Sequence, residues 1–190
     1  MDNSFQLDQV IENQTFSGNM LAKEYEACEF NYCNFEGIDL VSIQFINCSF
    51  MGCNLTNCKV KNTAFKEVSF TDCKILGVNF SVCNPFLLEL VFTRCTLDLC
   101  SFYKLKLKGI VINNCSLKNV DFVEANLQDA VFENCDFYGS AFERTNLERA
   151  DLTTSRNFSL DPELNIIKKA KFSANGALGL LRKYDIVVSM

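Results

Sequence analysis

Residues 28–52 read CEFNY CNFEG IDLVS IQFIN CSFMG, which is five consecutive groups of five residues. The third residue of each group, which we call the centre, is Phe or Leu in all five, from Phe30 to Phe50. The residue two positions before the centre is Cys or Ile. A period of five matches neither the 3.6 residues of a helical turn nor the two-residue alternation of a strand. The chain must therefore change direction once in every repeat.

The same period covers most of the chain. Apolar centres recur every five residues without exception in two runs, from Phe30 to Phe80 and from Phe92 to Leu152, which make 24 repeats. The residue two before the centre is uncharged in every repeat. The residue two after the centre is Gly, Asn or Asp in 13 repeats, and these residue types tolerate the positive φ of tight turns. Each repeat is predicted to be a short extended piece that ends in a turn.

Four such turns close a square, so four repeats make one coil, with two inward positions per repeat. The predicted fold is an all-β solenoid with a four-sided cross-section. We predict an N-terminal cap and irregular first coil over 1–24, the repeat region over 25–155, and a C-terminal tail over 156–190. The register slips by two positions at 81–91. This slip is either a tolerated insertion or a protruding loop in which Phe86 and Leu88 contact a partner.

The tail carries signals for a different structure. Asp161, Pro162 and Glu163 are typical of a helix start, so a short helix is expected to about Lys169, with a second one from near Ser173. Residues 185–188 resemble a final strand. The tail is predicted to cap the solenoid and to join two copies of the chain as a homodimer. The residues expected at that dimer interface are Leu178, Leu180, Leu181, Tyr184, Ile186 and Val188.

Composition excludes several function classes. The 190 residues include no His, which removes the commonest general base and the nucleophile pairs that need it. We expect no enzyme activity, no catalytic residue and no cofactor. Ten of the eleven Cys lie two positions before a centre, and Cys83 would do so if the first run continued. We therefore predict buried, reduced thiols instead of a zinc site, whose four ligands must converge. Neither a signal peptide nor a membrane span is recognisable, which favours a cytoplasmic protein with no membrane partner.

Charge is distributed in bands along the chain. Residues 1–51 carry eight acidic and one basic residue (−7), 52–118 four and nine (+5), 119–151 eight and two (−6), and 152–190 three and six (+3). The acidic residues of the third band, all at outward positions, are Asp121, Glu124, Asp129, Glu133, Asp136, Glu143, Glu148 and Asp151. A ladder of carboxylates imitates a row of phosphates, so it is expected to bind a protein that itself binds duplex DNA. The alternative is ordinary surface charge. Direct binding of nucleic acid is not expected, because carboxylates repel phosphate.

Several repeats carry a family resemblance. The runs CSFMG at 48–52, ANLQD at 125–129 and ADLTT at 150–154 resemble the A(D/N)LXX unit of pentapeptide repeat proteins. The resemblance implies a right-handed quadrilateral β-helix. The tail from Pro162 to Val188 is similar to that of the Qnr and MfpA type, whose dimeric rods engage DNA gyrase or topoisomerase IV and relieve quinolones or peptide toxins. It implies a non-enzymatic DNA mimic. The alternative is a general interaction scaffold with an unrelated cytosolic partner.

Overall fold

The chain coils into a four-sided solenoid of very short parallel strands. The structure, a computed structural model, describes residues 4–18 and 22–187. The strands are β1 (Phe5–Leu7), β2 (Val10–Glu12), β3 (Glu24–Glu26), β4 (Glu29–Asn31), β5 (Gln44–Ile46), β6 (Ser49–Met51), β7 (Ala64–Lys66), β8 (Val68–Thr71), β9 (Leu90–Thr93), β10 (Val111–Asn113), β11 (Val131–Glu133), β12 (Asp151–Leu152) and β13 (Lys171–Phe172). A short 3₁₀ turn spans Phe80–Val82. Among the described residues, no helix is long and apolar enough to cross a membrane.

Each coil stacks on the previous one in register, which gives four walls. Wall 1 is the nine-stranded sheet that runs from β2 to β13, and wall 4 begins as the four-stranded sheet β1-β3-β5-β7 and continues as bridges from Lys106 to Ile166. Walls 2 and 3 consist of isolated parallel bridges; wall 2 runs from Thr15 to Arg156 and wall 3 from Asp39 to Ala141. Paired residues occupy equivalent positions of successive coils, as in Phe50 with Phe70. The predicted all-β solenoid is confirmed.

The core is the set of inward side chains. Every predicted centre is buried, and so is every residue two positions before a centre. Phenylalanines of wall 1 stack ring on ring, with centroids 4.7 Å apart for Phe30 and Phe50 and 4.9 Å apart for Phe50 and Phe70. All eleven Cys are buried free thiols. The inward assignment made from the period is therefore confirmed.

The predicted turns are also present. The residue two after the centre has a positive φ in 22 of the 24 repeats, including the 13 with Gly, Asn or Asp. The turns are tied to the next coil by backbone hydrogen bonds, such as the Gly52 N–H that donates to the Thr71 carbonyl at 2.9 Å. Leu99 and Glu67 adopt the same conformation, with φ of 63° and 53°.

Coils continue beyond both ends of the apolar runs. At the N-terminus, β1 and β2 pair with β3 and β4 across a coil that is one position shorter than the regular one, as in Ile11 with Phe30. At the C-terminus, Leu152 pairs with Phe172. The solenoid therefore includes most of the described residues before 25 and extends through β13.

The helix predicted from Asp161 to Lys169 is wrong. These residues form turns and a bridge between Asn146 and Ile166. The buried Asn165 donates its side-chain N–H groups to the carbonyls of Phe142 (3.1 Å) and Asp161 (2.9 Å), so it acts as another inward residue of the solenoid. Inter-coil bonding thus outweighs the local helix signals.

The rest of the tail differs from the prediction as well. Its helical parts are two short 3₁₀ segments, Gly176–Leu180 and Arg182–Tyr184. The final strand expected at 185–188 is absent over the described residues 185–187, and Val188 lies outside them. The role of the tail as a cap stays a prediction.

Candidate interaction surfaces

The inward positions are filled by side chains, so a contact surface for a macromolecular partner lies on the outer walls. Shallow depressions occur there, for example one of about 400 Å³ whose lining includes Leu88, Lys106 and Gly109. In the described part of the chain, no group of three or more His, Cys, Asp or Glu side chains is placed to hold a metal ion. The charged and apolar residues of the walls are therefore the candidates.

The eight carboxylates of the third band do not form a ladder on one wall. Three lie on wall 3 (Asp121, Glu124 and Glu143), two on wall 4 (Asp129 and Glu148), two on wall 1 (Glu133 and Asp151) and one on wall 2 (Asp136). The repeat places successive outward residues on successive walls, so closeness in sequence does not produce a common face. The expected row of carboxylates is therefore wrapped around the rod.

Most of these carboxylates are also ion-paired. Six of the eight contact a basic residue. Four contacts reach the next coil, with nitrogen–oxygen distances of 3.0 Å for Glu124 with Arg144, 2.6 Å for Asp129 with Arg149, 3.5 Å for Asp136 with Arg156 and 3.1 Å for Asp151 with Lys171. The other two join sequence neighbours: Glu148 lies 2.8 Å from Arg149, and Glu143 contacts Arg144. In four of these pairs the basic residue occupies the position equivalent to the carboxylate, on the same wall of the next coil. Each pair lowers the net charge that a partner would meet.

The ion pairs lower the pKa of two of these carboxylates. Hydrogen bonding to Arg144, assisted by Lys104, lowers the pKa of Glu124. Hydrogen bonding to Arg149 in the same way lowers the pKa of Asp129. Both carboxylates therefore remain ionised and engaged at neutral pH.

The first two coils carry a group of five carboxylates without basic partners. On walls 4 and 1 these are Asp8, Glu12, Glu24, Glu26 and Glu29, and among the described residues none of the five forms an ion pair. Exposed apolar residues lie among them, including Phe5, Leu7 and Val10. β1 and β2 are also the edge strands of their sheets. We call this region the N-terminal surface; the sequence reasoning assigned no site to it, although its band has the largest net charge.

The register slip forms a small loop on wall 4. β8 pairs with β9 across a coil that is two positions longer than the regular one, and the extra length is accommodated between Asn84 and Leu90. Phe86 is 66% exposed, as predicted for a contact loop, whereas Leu88 is half-buried against the core. The second exposed apolar residue is its neighbour Leu87, at 64%. Contact between this loop and a partner stays a prediction.

The residues predicted for a dimer interface differ in exposure. Leu178 and Leu180 are half-buried, and Leu180 packs against the core. Leu181, Tyr184 and Ile186 are exposed at 37%, 51% and 55%. Leu164 and Ile166, which the sequence reasoning did not select, add exposed apolar surface at 52% and 55%.

The repeat architecture agrees with a known family. A model of the pentapeptide repeat region matches residues 23–85 and 87–157, which together exceed half of the chain. The chain belongs to the pentapeptide repeat family. No curated protein matches it in sequence.

Solved pentapeptide repeat proteins have similar structures. A trypsin-treated variant of QnrB1, a plasmid-mediated fluoroquinolone resistance protein, matches with 20% identity and a TM-score of 0.51, covering 98% of this chain and 100% of that one. HetL from the cyanobacterium Nostoc, involved in the regulation of heterocyst differentiation, matches with 12% identity and a TM-score of 0.49, covering 90% and 87%. A thylakoid lumen protein from Arabidopsis thaliana matches with 15% identity and a TM-score of 0.39, covering 64% and 70%. The first likeness establishes the pentapeptide repeat fold of this chain.

Proposed function

We propose that this pentapeptide repeat protein is a non-enzymatic, cytoplasmic interaction scaffold that binds DNA gyrase or topoisomerase IV as a DNA mimic. The proposal rests on one observation: the N-terminal surface presents, on two adjacent walls of a rod, five carboxylates without basic partners among the described residues. A topoisomerase must hold duplex DNA through a cationic surface, and such a surface attracts a rigid anionic rod. Binding would modulate the enzyme or protect it from quinolones or topoisomerase-targeting toxins.

The N-terminal surface suits this role better than the third band. An approaching cationic protein must first break the ion pairs of Glu124, Asp129 and their neighbours, which offsets the attraction it gains. Within the described chain, the carboxylates of Glu12, Glu26 and Glu29 have no such pairs to break. The exposed Phe5 and Val10 add apolar contact area beside them. We therefore assign the partner contact to the first two coils.

The tail is proposed to join two copies into a homodimer. Leu181, Tyr184 and Ile186 are exposed together with Leu164 and Ile166, and a second copy would remove this apolar area from water. We expect Ile186→Glu to shift the chain toward the monomer in sedimentation velocity, because it places a charge in that contact. Phe86→Glu, a matched change at a similarly exposed residue in the wall 4 loop, should leave the mass unchanged. A monomeric parent chain at micromolar concentration would contradict the dimer.

The central test is a gyrase supercoiling assay with purified full-length protein, with and without ciprofloxacin. Parent protein is expected to inhibit supercoiling or to reduce drug-stabilised cleavage. The triple variant Glu12→Lys, Glu26→Lys and Glu29→Lys should lose the effect. The triple variant Asp129→Lys, Glu133→Lys and Asp136→Lys should keep most of it, provided its circular dichroism matches that of the parent. Loss only in the second variant would move the contact to the third band.

A second candidate is a scaffold for an unrelated cytosolic partner. The observation that favours it is the wall 4 loop, where Phe86 and Leu87 expose apolar surface that a DNA mimic does not require. A rod of this kind can serve partners of different chemistry, because function lies in the surface and not in the fold. If parent protein in micromolar excess changes neither supercoiling nor cleavage, the topoisomerase proposal fails and this candidate replaces it.

A further inference from the structure

Six cysteines form a continuous column inside wall 2. They occupy the same inward position in six successive coils: Cys33, Cys53, Cys73, Cys95, Cys115 and Cys135. The residue after each one belongs to the unbroken series of parallel bridges Asn34, Asn54, Lys74, Thr96, Ser116 and Asp136. The register slip does not interrupt this column, because the extra residues lie on wall 4. Ser155 follows in the next coil.

The thiols of the column lie directly above one another. The Cys33 backbone N–H donates to the Cys53 sulfur at 3.3 Å, and the Cys95 N–H donates to the Cys115 sulfur at 3.2 Å. Neighbouring parallel strands are about 4.8 Å apart, which sets the spacing from one coil to the next. Each thiol therefore has another thiol as its neighbour along the rod.

Neighbouring thiols also act on each other. Hydrogen bonds from Cys115 and Cys73 lower the pKa of Cys95, and the corresponding contacts with Cys53 and Cys95 raise the pKa of Cys73. An S–H group beside a sulfur thus favours the thiolate at that sulfur. Burial raises the pKa of Cys33 and Cys135 in the column, as it raises that of Cys58 outside it to about 12. Stacking therefore separates the pKa values of neighbouring thiols: those of Cys53 and Cys95 are lowered, and those of Cys73 and Cys115 are raised.

We propose that the column binds soft monovalent metal ions such as Cu(I) or Ag(I), each between two stacked sulfurs in linear two-coordinate geometry, with no sulfur shared by two ions. A Zn–S bond is about 2.3 Å long, and a linear S–metal–S unit with two bonds of about this length spans about 4.6 Å, close to the coil spacing of about 4.8 Å. Thiolates select ions of this class. A tetrahedral zinc site would need four converging ligands, and the straight column offers two at any point.

Sulfur geometry and charge balance determine the capacity. A sulfur that is bonded to its Cβ cannot bond two ions on opposite sides in a straight line, so six stacked sulfurs form three separate pairs and hold three ions. If each ion displaces one thiol proton, each pair keeps one S–H group and is neutral, as burial requires. Cys28 and Cys48 form a second stack inside wall 1 and add one position. The other three cysteines, Cys58, Cys83 and Cys100, have no stacked thiol neighbour. We therefore expect four ions per chain and four protons released.

The test uses reduced full-length protein and silver(I), which binds thiolates without oxidising them. Native mass spectrometry should count four ions on the parent chain, and a pH indicator in weak buffer should record one proton released per ion. Cys73→Ala divides the column into two sulfurs and three sulfurs, which hold one ion each, so the capacity of the chain should fall from four to three. The matched control Cys58→Ala removes an equally buried thiol from wall 3 and should still bind four. X-ray absorption should report two sulfur neighbours per silver ion.

Three results would overturn the proposal: equal capacity in Cys73→Ala and the parent, three or four sulfur neighbours around each ion, or no uptake while the circular dichroism of the folded chain is retained. None of these bears on gyrase binding, which rests on the outer surface of the first two coils.

Discussion

Each inward phenylalanine of wall 1 packs against its equivalents in the coils above and below. Phe50 lies between Phe30 and Phe70, with interplanar angles of 10° and 18°, and meets Phe45 of wall 4 edge to face at 5.4 Å. Such aromatic pairs add to the stabilisation from burial alone. A single ring thus connects three coils and two walls.

Removal of the Phe50 ring is expected to destabilise the fold. Phe50→Ala should lower the free energy of unfolding by about 3–5 kcal/mol, because it leaves a cavity between two stacked rings. The control Phe86→Ala removes the same side chain from the exposed loop and should change stability by less than about 0.5 kcal/mol. Urea unfolding followed by circular dichroism measures both. Equal midpoints for the two variants would contradict the assignment of Phe50 to the core.

At the turn residues, closure of the coil determines the backbone conformation more strongly than the preference of each residue type does. The residue two after the centre is Gly, Asn or Asp in 13 repeats, and all 13 have a positive φ. In nine other repeats the same position is Tyr, Ser, Glu, Arg, Leu or Lys, and it also has a positive φ. Closing the square imposes the turn on whichever residue occupies that position. The five-residue spacing is therefore a better predictor of backbone conformation here than residue type.

The tail is the element where sequence reasoning failed most. Its first 3₁₀ segment packs on Phe158, and the Leu160 N–H donates to the Gly179 carbonyl at 3.3 Å. Lys183 contacts Asp161 at 2.7 Å and Glu163 at 2.8 Å. The acidic residues that signalled a helix start thus contact the tail instead. Local sequence could not reveal this, because the partners lie a whole coil apart along the chain.

Gly179 is the position most sensitive to change in this element. A Cβ atom there would lie 2.5 Å from the Phe158 carbonyl oxygen, and a backbone oxygen has little freedom to move. Gly179→Ala should destabilise tail docking by about 1–3 kcal/mol and accelerate amide hydrogen exchange over residues 176–187. In the control Gly176→Ala, the nearest atoms belong to the side chains of Ser173 and Phe158, so a smaller change is expected. Unchanged exchange in Gly179→Ala would refute this docking.

Over the whole molecule, charges are arranged by coil. Glu124 with Arg144, Asp129 with Arg149, Asp136 with Arg156 and Asp151 with Lys171 are all separated by one full coil. This spacing is readable from the sequence once the coil length is known. The inward residues were predictable because the five-residue period alone determines them. The wall on which each charged residue lies was not predicted, because a band that is continuous along the chain wraps around all four walls.

These pairs give the rod a defined pH response. The folded-state pKa values of Glu124 and Asp129 lie below their unfolded values, so the pairs stabilise the fold above about pH 4 and lose this effect as pH falls through the folded-state values. The double variant Arg144→Gln and Arg149→Gln should melt below the parent at pH 7 and low salt, and the difference should shrink toward pH 3. Differential scanning calorimetry measures it. A difference that grows on acidification would contradict the pairing.

The in-register stacking of equivalent coils also affects how such a chain can evolve. An in-frame duplication of one coil of four repeats would place every new inward side chain on a wall that already accepts its type, and would lengthen the rod by about 4.8 Å. Both ends would keep their present neighbours. Length can therefore change by gene duplication independently of the surfaces at the two ends, so the separation between two contact sites is adjustable in steps of one coil.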